Sequence, residues 1–351
     1  MQHGRAFGVA LCLALAACSA PGGDTLGTNQ VSSGIGVQAP PAVTAPRQYR
    51  VKVFVRGNAK RYNPDPIVWQ GQFLYVAYQN ATGPKGAGGD STIVQYSRRG
   101  KIMKSVDVRG RCDGMRWNPY QSLMWITVNE DANSSMYTWD PTSGALKHYS
   151  FSSAQHGGGY DDLAFSNGQA FIAASNPTLI GGINKGPAVV GVTLQGNTAE
   201  VTPVLMGDSK AKDILTGKTV TLNLTDPDSM TVAQNGDVLL VSQADAEIVL
   251  LHNVGKGSQS VSRLDVGTQI DDTVYATKRS GVFYVADSKK NVIYSIRAQV
   301  TSGTLFTEAP SDSRVAGFVG TIDQSTGTIT PVITGFDSPT GLVFVAGGQQ
   351  R

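Results

Sequence analysis

The sequence predicts an all-β fold, a six-bladed β-propeller built from four-stranded antiparallel blades. The first observation is a repeated segment in which an aspartate precedes a short apolar or β-branched run. The copies are NPDPIVW, CDGMRW, YDDLAF, PDSMTV and DDTVYA, and a further copy, SPTGLVF, carries Thr340 in place of the aspartate. Repeats at periods of roughly 40–50 residues in a β-rich chain are typical of propeller blades.

The second observation is that another apolar run follows each aspartate-bearing copy. These runs are FLYVAY, LMWITV, AFIAAS, VLLVSQ and VFYVAD. The unit at 112–150 continues with two more runs, separated by the turn-forming sequences NEDAN and DPTSG. Each unit therefore supplies four antiparallel strands, and the start of its first strand lies at the same end as the close of its second.

The third observation concerns the two ends of the repeat. Only a few residues follow SPTGLVFVAGG, so YRVKVFVR at 49–56 is predicted to be the outer strand that closes the sixth blade. The middle strands of that blade are expected to be short or missing. Two units are long, and their extra residues (205–227 and TSGTLFTEAPSDSR) are predicted to be insertions, the first overhanging the aspartate-lined end.

The segment before the repeat has a different character. Residues 1–17 combine Arg5 with a short apolar stretch, which is typical of a signal peptide. LAAC resembles the lipobox of bacterial lipoproteins, which implies cleavage before Cys18 and acylation (for example by palmitate) of its thiol; the alternative is an ordinary signal peptide with a chance cysteine. Residues 18–48 are predicted to be the lipidated cysteine and a flexible tether, and 49–351 the propeller.

This reading implies an exported protein held on the cell envelope by its lipid. Ser19 after the cysteine resembles the signal for the outer membrane, facing the periplasm. The formal net charge of +3 and the lack of a large Lys/Arg cluster argue against nucleic-acid binding. Cys112 would be the one cysteine left in the mature domain, so we expect no disulfide, and we expect a monomer.

The repeated aspartates are predicted to line one mouth of the central channel. The predicted mouth residues are Asp65, Asp113, Asp161, Asp228 and Asp271, with Glu130 and Asp287 at second-strand ends. Such carboxyl groups must accept backbone hydrogen bonds, be protonated, or be neutralised by a cation, and oxygen-rich surroundings suit Ca²⁺ or another divalent cation. The simpler alternative is that each aspartate fixes the turn into its inner strand.

Three residues are candidates for catalysis at this mouth. Asp162 and Asp272 double the repeated aspartate, which exceeds what a turn needs. His156 lies in SSAQHGGGYDD and is a candidate general base or metal ligand, although an exposed loop histidine is the alternative. The sequence contains no HExxH, GxSxG, Walker or CxxC motif, so no motif supports a zinc peptidase, a serine hydrolase or a P-loop protein.

Two stretches carry a resemblance to known propellers. PDSMTVAQNGDVLLVSQAD and DDTVYATKRSGVFYVADSKKNVIYSI resemble NHL-type repeats and the senescence-marker-protein-30/gluconolactonase family. The resemblance implies a divalent cation at the mouth, held here by Asp228 and by the amides of Asn129 and Asn176. Asp271 is a further candidate ligand from the ring of aspartates. The family's glutamate near the start of blade one has no match, because Asp65 stands there.

Three functions follow from these observations. The favoured one is a binding module that holds a small molecule or a protein at the aspartate-lined mouth without turnover. The alternative is a metal-dependent lactonase or esterase, in which a cation polarises a carbonyl and a mouth carboxylate or His156 activates water. A lyase that acts on a cyclic ester is a third.

Overall fold

The computed structural model describes residues 43–310 and 316–348, and within these ranges every regular element is a β-strand. The predicted signal peptide, Cys18 and the predicted tether as far as residue 42 lie outside the described residues. No helix in the described ranges has the length and apolar character needed to cross a bilayer.

The strands follow closely on one another along the chain. The first thirteen are β1 (Tyr49–Arg56), β2 (Pro64–Gln70), β3 (Phe73–Tyr78), β4 (Asp90–Ser97), β5 (Ile102–Arg109), β6 (Cys112–Asn118), β7 (Leu123–Val128), β8 (Ser135–Trp139), β9 (Leu146–Phe151), β10 (Leu163–Ser166), β11 (Gln169–Ala173), β12 (Pro187–Gln195) and β13 (Thr198–Met206). The others are β14 (Lys210–Asp213), β15 (Thr219–Thr221), β16 (Pro227–Val232), β17 (Val238–Ser242), β18 (Glu247–His252), β19 (Ser260–Asp265), β20 (Thr273–Tyr275), β21 (Ser280–Asp287), β22 (Val292–Gln299), β23 (Leu305–Ala309), β24 (Gly317–Ile322), β25 (Ile329–Phe336) and β26 (Pro339–Ala346).

Consecutive strands form antiparallel groups of four over most of the chain. These groups are β2–β3–β4–β5, β6–β7–β8–β9, β10–β11–β12–β13 and β16–β17–β18–β19. A short parallel pairing of β13 with β9 joins the second and third groups into one eight-stranded sheet. The predicted all-β, propeller-like arrangement is therefore present in the strand pairing.

The predicted 205–227 insertion contains the hairpin β14–β15. Lys212 and Asp213 of β14 pair in parallel with Ser262 and Arg263 of β19, which is the outer strand of its group. Arg263 also forms an ion pair with Asp213 at 2.9 Å. The hairpin thus extends the outer edge of the sheet. It does not overhang the mouth, although the sequence predicted that it would.

The last two groups exchange a hairpin, and this differs from the sequence prediction. Strand β20 pairs with β23, giving the order β20–β23–β24–β25. Strands β21 and β22 lie instead between β26 and β1, giving β26–β21–β22–β1. The sheet that contains β1 and β26 therefore has four strands, and the expectation that its middle strands are short or missing is wrong. TSGTLFTEAP contains β23 and is not an insertion.

Aromatic packing explains where the exchanged hairpin settles. Phe283 of β21 packs against Phe306 of β23 (ring centroids 4.7 Å apart) and against Phe344 of β26 (4.8 Å). Strand β21 is buried along almost its whole length, as an inner position of a sheet covered on both faces requires. Phe283 thus packs between the two sheets that exchange the hairpin and fills the space between them.

The exchanged pairing can be tested by cross-linking. Val282 and Val345 are register partners in β21 and β26 and both are buried. We expect V282C/V345C to form a disulfide under mild oxidation, detected as a linked peptide by mass spectrometry. The matched control V274C/V282C places a cysteine on β20, which does not pair with β21, and should remain reduced. The opposite pattern would support the pairing predicted from sequence order.

Hydrogen bonds connect each strand group to the next, and their atoms lie in or beside the first strands of the groups (β2, β6, β10, β16, β20 and β26), which we call the innermost strands. In order they run from Gln79 Nε2 to Cys112 O (3.1 Å), Thr127 Oγ1 to Asp161 O (2.5 Å), Met230 N to Asp162 Oδ2 (3.0 Å), Ser229 Oγ to Asp271 O (2.9 Å), Leu342 N to Asp272 Oδ2 (3.0 Å) and Thr340 Oγ1 to Pro64 O (3.3 Å). The last bond returns to β2, where the series began. Thr340, the residue that replaces the repeated aspartate, supplies this closing bond.

The N-terminal part of the described chain also contacts the last sheets. Thr44 exchanges two backbone hydrogen bonds with Thr334 of β25, at 2.8 and 2.9 Å. Val43 and Ala45 pack against the apolar cluster that contains Phe283. Residues 43–48, which the sequence analysis assigned to the tether, therefore lie against the folded sheets, and β1 follows as the outer strand of the closing sheet.

Candidate functional site

The starts of the innermost strands surround a cavity of about 160 Å³. Nine carboxyl groups line it, together with two guanidinium groups. The carboxyl groups belong to Asp65, Asp113, Glu130, Asp161, Asp162, Asp226, Asp228, Asp271 and Asp272, and the guanidinium groups to Arg111 and Arg116. We call this set the acidic cavity.

Most of the predicted mouth residues meet in the acidic cavity. The repeated aspartates from β2, β6, β16 and the segments before β10 and β20 all line it, as do the doubled residues Asp162 and Asp272. Glu130 reaches it from the turn after β7. The repeat therefore places these carboxyl groups around one end of the channel because each inner strand begins there.

Two predicted amide ligands have other roles. Asn129 accepts a hydrogen bond from Arg111 N (3.0 Å) and donates one to Asn133 O (3.1 Å), in the left-handed conformation with φ of 68°. Asn176 is exposed, and its amide donates to Asp131 O at 3.3 Å. Both amides hold turns beside the cavity, and neither lines it.

His156 and Asp287 also lie away from the cavity. His156 is only 3% exposed, its Nε2 is 2.6 Å from Gly159 O, and its ring packs against Tyr160. Burial lowers the pKa of His156, so the ring is neutral near pH 7. Asp287 accepts the backbone N–H groups of Asp337 (2.9 Å) and Ser338 (3.0 Å), because its hairpin belongs to the last sheet. Both residues were predicted to lie at the mouth, and the structure places them elsewhere.

Several cavity residues were not predicted. Arg111, Arg116 and Asp226 line it, while Gln79 and Glu308 lie within its hydrogen-bond and charge network. Asp226 stands two residues before Asp228 in TDPDS, and period-two alternation could have indicated that both point to one face. Glu308 was assigned to an insertion, so nothing in the sequence pattern pointed to it.

Gln79 bridges the aspartates of the first two groups. Its Nε2 donates to Asp65 Oδ2 at 2.7 Å and to Asp113 Oδ1 at 3.0 Å, and its Oε1 accepts from Asn63 Nδ2 at 2.6 Å. The side chain is 0% exposed. The Gln79 amide is neutral and donates to both carboxyl groups. It therefore stabilises Asp65 and Asp113 side by side in the channel wall without adding charge.

Removing this bridge should be costly. We expect Q79A to lower the free energy of unfolding by about 1–3 kcal/mol, since buried acceptors lose their donor. Q79E, nearly identical in shape, should cost more because it adds a carboxylate to the same cluster. Urea denaturation measures both, and exposed Gln195 supplies the control Q195A. Equal stability of Q79A and Q195A would contradict a bridging role.

The two arginines are held by four of the nine carboxylates. Arg111 Nε lies 2.9 Å from Asp113 Oδ1, and its Nη1 lies 3.3 Å from Glu130 Oε1. Arg116 forms a hydrogen-bonded ion pair with Asp162 and lies 3.9 Å from Asp272 Oδ1. The other five carboxylates have no ion-pair partner among the described residues.

The pKa values of the cavity aspartates reflect this excess of carboxyl groups over guanidinium groups. Burial, with added repulsion from neighbouring carboxylates, raises the pKa of five aspartates well above the usual value: Asp65, Asp113, Asp161, Asp228 and Asp271. Burial also raises the pKa of Asp226 and of Asp272 to about 6. The charges of Asp228 and Glu130 add to burial in raising the pKa of Asp161. The cavity is therefore partly protonated near neutral pH.

The carboxyl group of Glu308 is buried, and neither of its oxygens has a hydrogen-bond partner among the described residues. The residue lies in β23 and is 0% exposed. Burial raises its pKa well above the usual value, and the carboxylates of Asp272, Asp65 and Asp228 raise it further. Glu308 does not line the cavity itself, but Pro310, two residues further along the chain, does.

The metal arrangement implied by the family resemblance does not fit these residues. Asn129 and Asn176 face elsewhere, and Asp65 is bound to Gln79. Within 43–310 and 316–348, no three His, Cys, Asp or Glu side chains converge as metal ligands. The carboxyl groups are instead spread around the cavity wall.

Comparison with known proteins gives structural likenesses only. No protein-family model and no curated protein matches the chain. Among solved structures, a protein provisionally assigned as a gluconolactonase is similar over 87% of this chain and 91% of its own, with 10% identity and a TM-score of 0.49. Virginiamycin B lyase from Staphylococcus aureus is similar over 79% and 86%, with 10% identity and a TM-score of 0.46. A Bacteroides caccae protein of unknown function is similar over 80% and 86%, with 11% identity and a TM-score of 0.47.

Proposed function

We propose that this protein is a binding module that holds a ligand in the acidic cavity of a six-bladed propeller. The observation that carries the proposal is the imbalance of charge, nine carboxyl groups against two guanidinium groups around one cavity. The two guanidinium groups are already paired, and the other five carboxyl groups have no ion-pair partner among the described residues. A low-dielectric site with excess negative charge favours a cationic ligand.

The blade count rests on the strand groups and on the hydrogen bonds between them. Each four-strand group would be one blade, with β14–β15 as an addition to the fourth. The bonds that connect the inner strands return to β2 through Thr340 and Pro64, which supports a closed ring. The outer strand β1 then closes the last blade from the N-terminal side.

A lactonase or esterase is the second candidate, favoured by one observation. Asp226 and Asp272 line the cavity with pKa values of about 6, which suits a general base near neutral pH. Against it, Leu342 N and Arg116 already occupy Asp272, and His156 is buried elsewhere. Within the part of the chain that the structure describes, no three candidate ligands converge as the family's cation site would require, which favours binding without turnover.

Melting and turnover measurements separate the two candidates. We expect chelator to leave the melting temperature of the protein unchanged and a panel of lactones to show no enzyme-dependent hydrolysis. A panel of small cations at low salt should raise the melting temperature of the wild type and have a smaller effect on D228N. Lactone turnover that D228A and D272A abolish, with their folds intact by circular dichroism, would establish the enzyme and reject the binding module.

The location on the cell envelope is part of the proposal. The signal-like residues 1–17 and the LAAC sequence support acylation at Cys18, and Ser19 supports an anchor in the outer membrane, facing the periplasm. The anchored protein is proposed to be a monomer. Expression with labelled palmitate tests this directly. Label and detergent-phase partitioning should both be lost in C18S, whereas a soluble, unlabelled wild type would contradict the anchor.

A further inference from the structure

We propose that the acidic cavity binds a short aliphatic diamine through its ammonium groups, and that the diamine displaces protons from the carboxyl ring. This inference rests on the proposed function and narrows it to one class of ligand. Four features support it: the cations that the cavity already holds, the unpaired acids, the apolar lining and buried Glu308.

The chain shows how this cavity holds cations that carry N–H groups. Arg111 and Arg116 are each placed between two carboxylates, with contacts from Arg111 at 2.9 and 3.3 Å. An ammonium group presents three N–H donors and can use the same kind of acceptor. A second N–H cation would therefore meet the geometry that the protein already uses for its own side chains.

Enough carboxyl groups remain for such a ligand. The cavity-lining carboxyl groups without an ion-pair partner among the described residues are Asp65, Asp161, Asp226, Asp228 and Asp271. They are spread around about 160 Å³, which is several times the roughly 30 Å³ of a water molecule. A Ca²⁺ ion takes six to eight oxygens at about 2.3–2.6 Å, whereas no three carboxyl groups of the described residues converge as metal ligands. Two ammonium groups joined by a short chain can contact separate carboxylates.

The same cavity also offers apolar contacts. Pro66, Ile67, Met115 and Pro310 line it between the acids. Methylene groups gain free energy when such surfaces cover them, by about 0.8 kcal/mol for each one fully buried. In an aliphatic diamine the methylene chain can contact these apolar side chains while the ammonium groups contact the acids. A bare metal ion would make no contact with the apolar side chains.

Glu308 is the independent sign that positive charge is missing. Its carboxyl group is 0% exposed, and neither carboxyl oxygen has a hydrogen-bond partner among the described residues. Burial raises its pKa, and the charges of Asp272, Asp65 and Asp228 raise it further. A buried carboxyl group in such surroundings keeps its proton. When an ammonium group enters the ring, carboxylic acids there ionise, their protons pass to the solvent, and the ammonium forms ion pairs with the resulting carboxylates.

Calorimetry with the full-length protein tests the inference, with diaminobutane dihydrochloride as the probe. We expect saturable binding at pH 7 whose heat differs between phosphate and Tris buffers, because protons are released. Butanediol, which has the same length without charge, should not bind. D228N should weaken binding roughly ten- to hundred-fold, since one charged hydrogen bond is lost, and D65N serves where D228N fails to fold.

E308Q should release fewer protons per diamine bound, and E200Q, at an exposed site on β13, should match the wild type. Proton release equal to wild type in E308Q would refute the role of Glu308. If diaminobutane fails to bind while CaCl₂ or a lactone binds and is weakened by D228N, the diamine inference is wrong and the proposed function stands. If none of these probes binds, both are wrong.

Discussion

Replacing Arg116 with alanine is expected to lower the free energy of unfolding by about 2–4 kcal/mol, one of the two largest effects that the structure predicts. Its guanidinium pairs with Asp162, lies 3.9 Å from Asp272, and donates to Met230 O at 2.7 Å and Leu163 O at 3.1 Å. The alanine variant would leave two largely buried carboxylates without a cation. Urea denaturation followed by tryptophan fluorescence measures the loss.

Matched variants identify the source of that effect. R116K retains the charge but loses the planar, multiple hydrogen bonding of arginine, so it should fall between R116A and the wild type. R116A/D162N should recover part of the stability, because one uncompensated carboxylate is removed. R109A, at an exposed position of β5, should change stability little. An R116A variant as stable as R109A would show that the ion pair contributes nothing.

Lowering the pH from 7.5 to 5 is expected to stabilise the protein. Asp226 and Asp272 have folded-state pKa values of about 6, above the 3.8 of the unfolded chain. Between these values the folded state binds more protons than the unfolded state, so the free energy of unfolding increases as the pH falls. Each of the two groups contributes about 1–1.5 kcal/mol by pH 5, and the aspartates with pKa values raised further add to this.

Two kinds of group oppose this trend. Burial lowers the pKa of His156, so below about pH 6.5 the unfolded chain binds a proton that the folded state does not, and this difference destabilises the fold as the pH falls. Hydrogen bonds lower the pKa of Asp140 and Asp323, so the stability that these residues supply is lost only below the unfolded value of 3.8. Thermal melts at intervals between pH 4 and 8 measure the net effect. D226N/D272N should be more stable than the wild type at pH 7.5 and should show a weaker dependence on pH. A wild-type melting temperature that falls steadily from pH 7.5 to 5 would contradict the raised values.

Much of the acidic cavity was predictable because one residue type recurs at one register point. Asp113 and Asp228 each enter an inner strand at its start, so a closed set of such strands brings them to the same end. The same logic failed for Asn129 and His156, whose turns are close in sequence to the mouth. Their side chains are used for turn hydrogen bonds, and sequence spacing does not reveal which polar partner a turn residue selects.

Strand partners were less predictable than strands. VFYVAD and TLFTEA are both good β-strand sequences, and either can pair with the short strand at Thr273–Tyr275. The choice depends on Phe283, which fills the space between two sheets, and that space exists only in the assembled ring. Arg116 was missed for a related reason, because its partners come from three different strand groups.

The exchanged hairpin at 280–299 has a consequence for the order in which the molecule assembles. It lies between Tyr49–Arg56 and Pro339–Ala346, while the segments before and after it belong to the neighbouring sheet. Neither of these two sheets can be completed from a continuous stretch of chain, and the final strand must be available before the hairpin has both neighbours. A growing chain that ends before Pro339 therefore leaves β21 with an open edge, and such edges promote association with other chains. Strand β26 therefore decides whether the ring closes on itself.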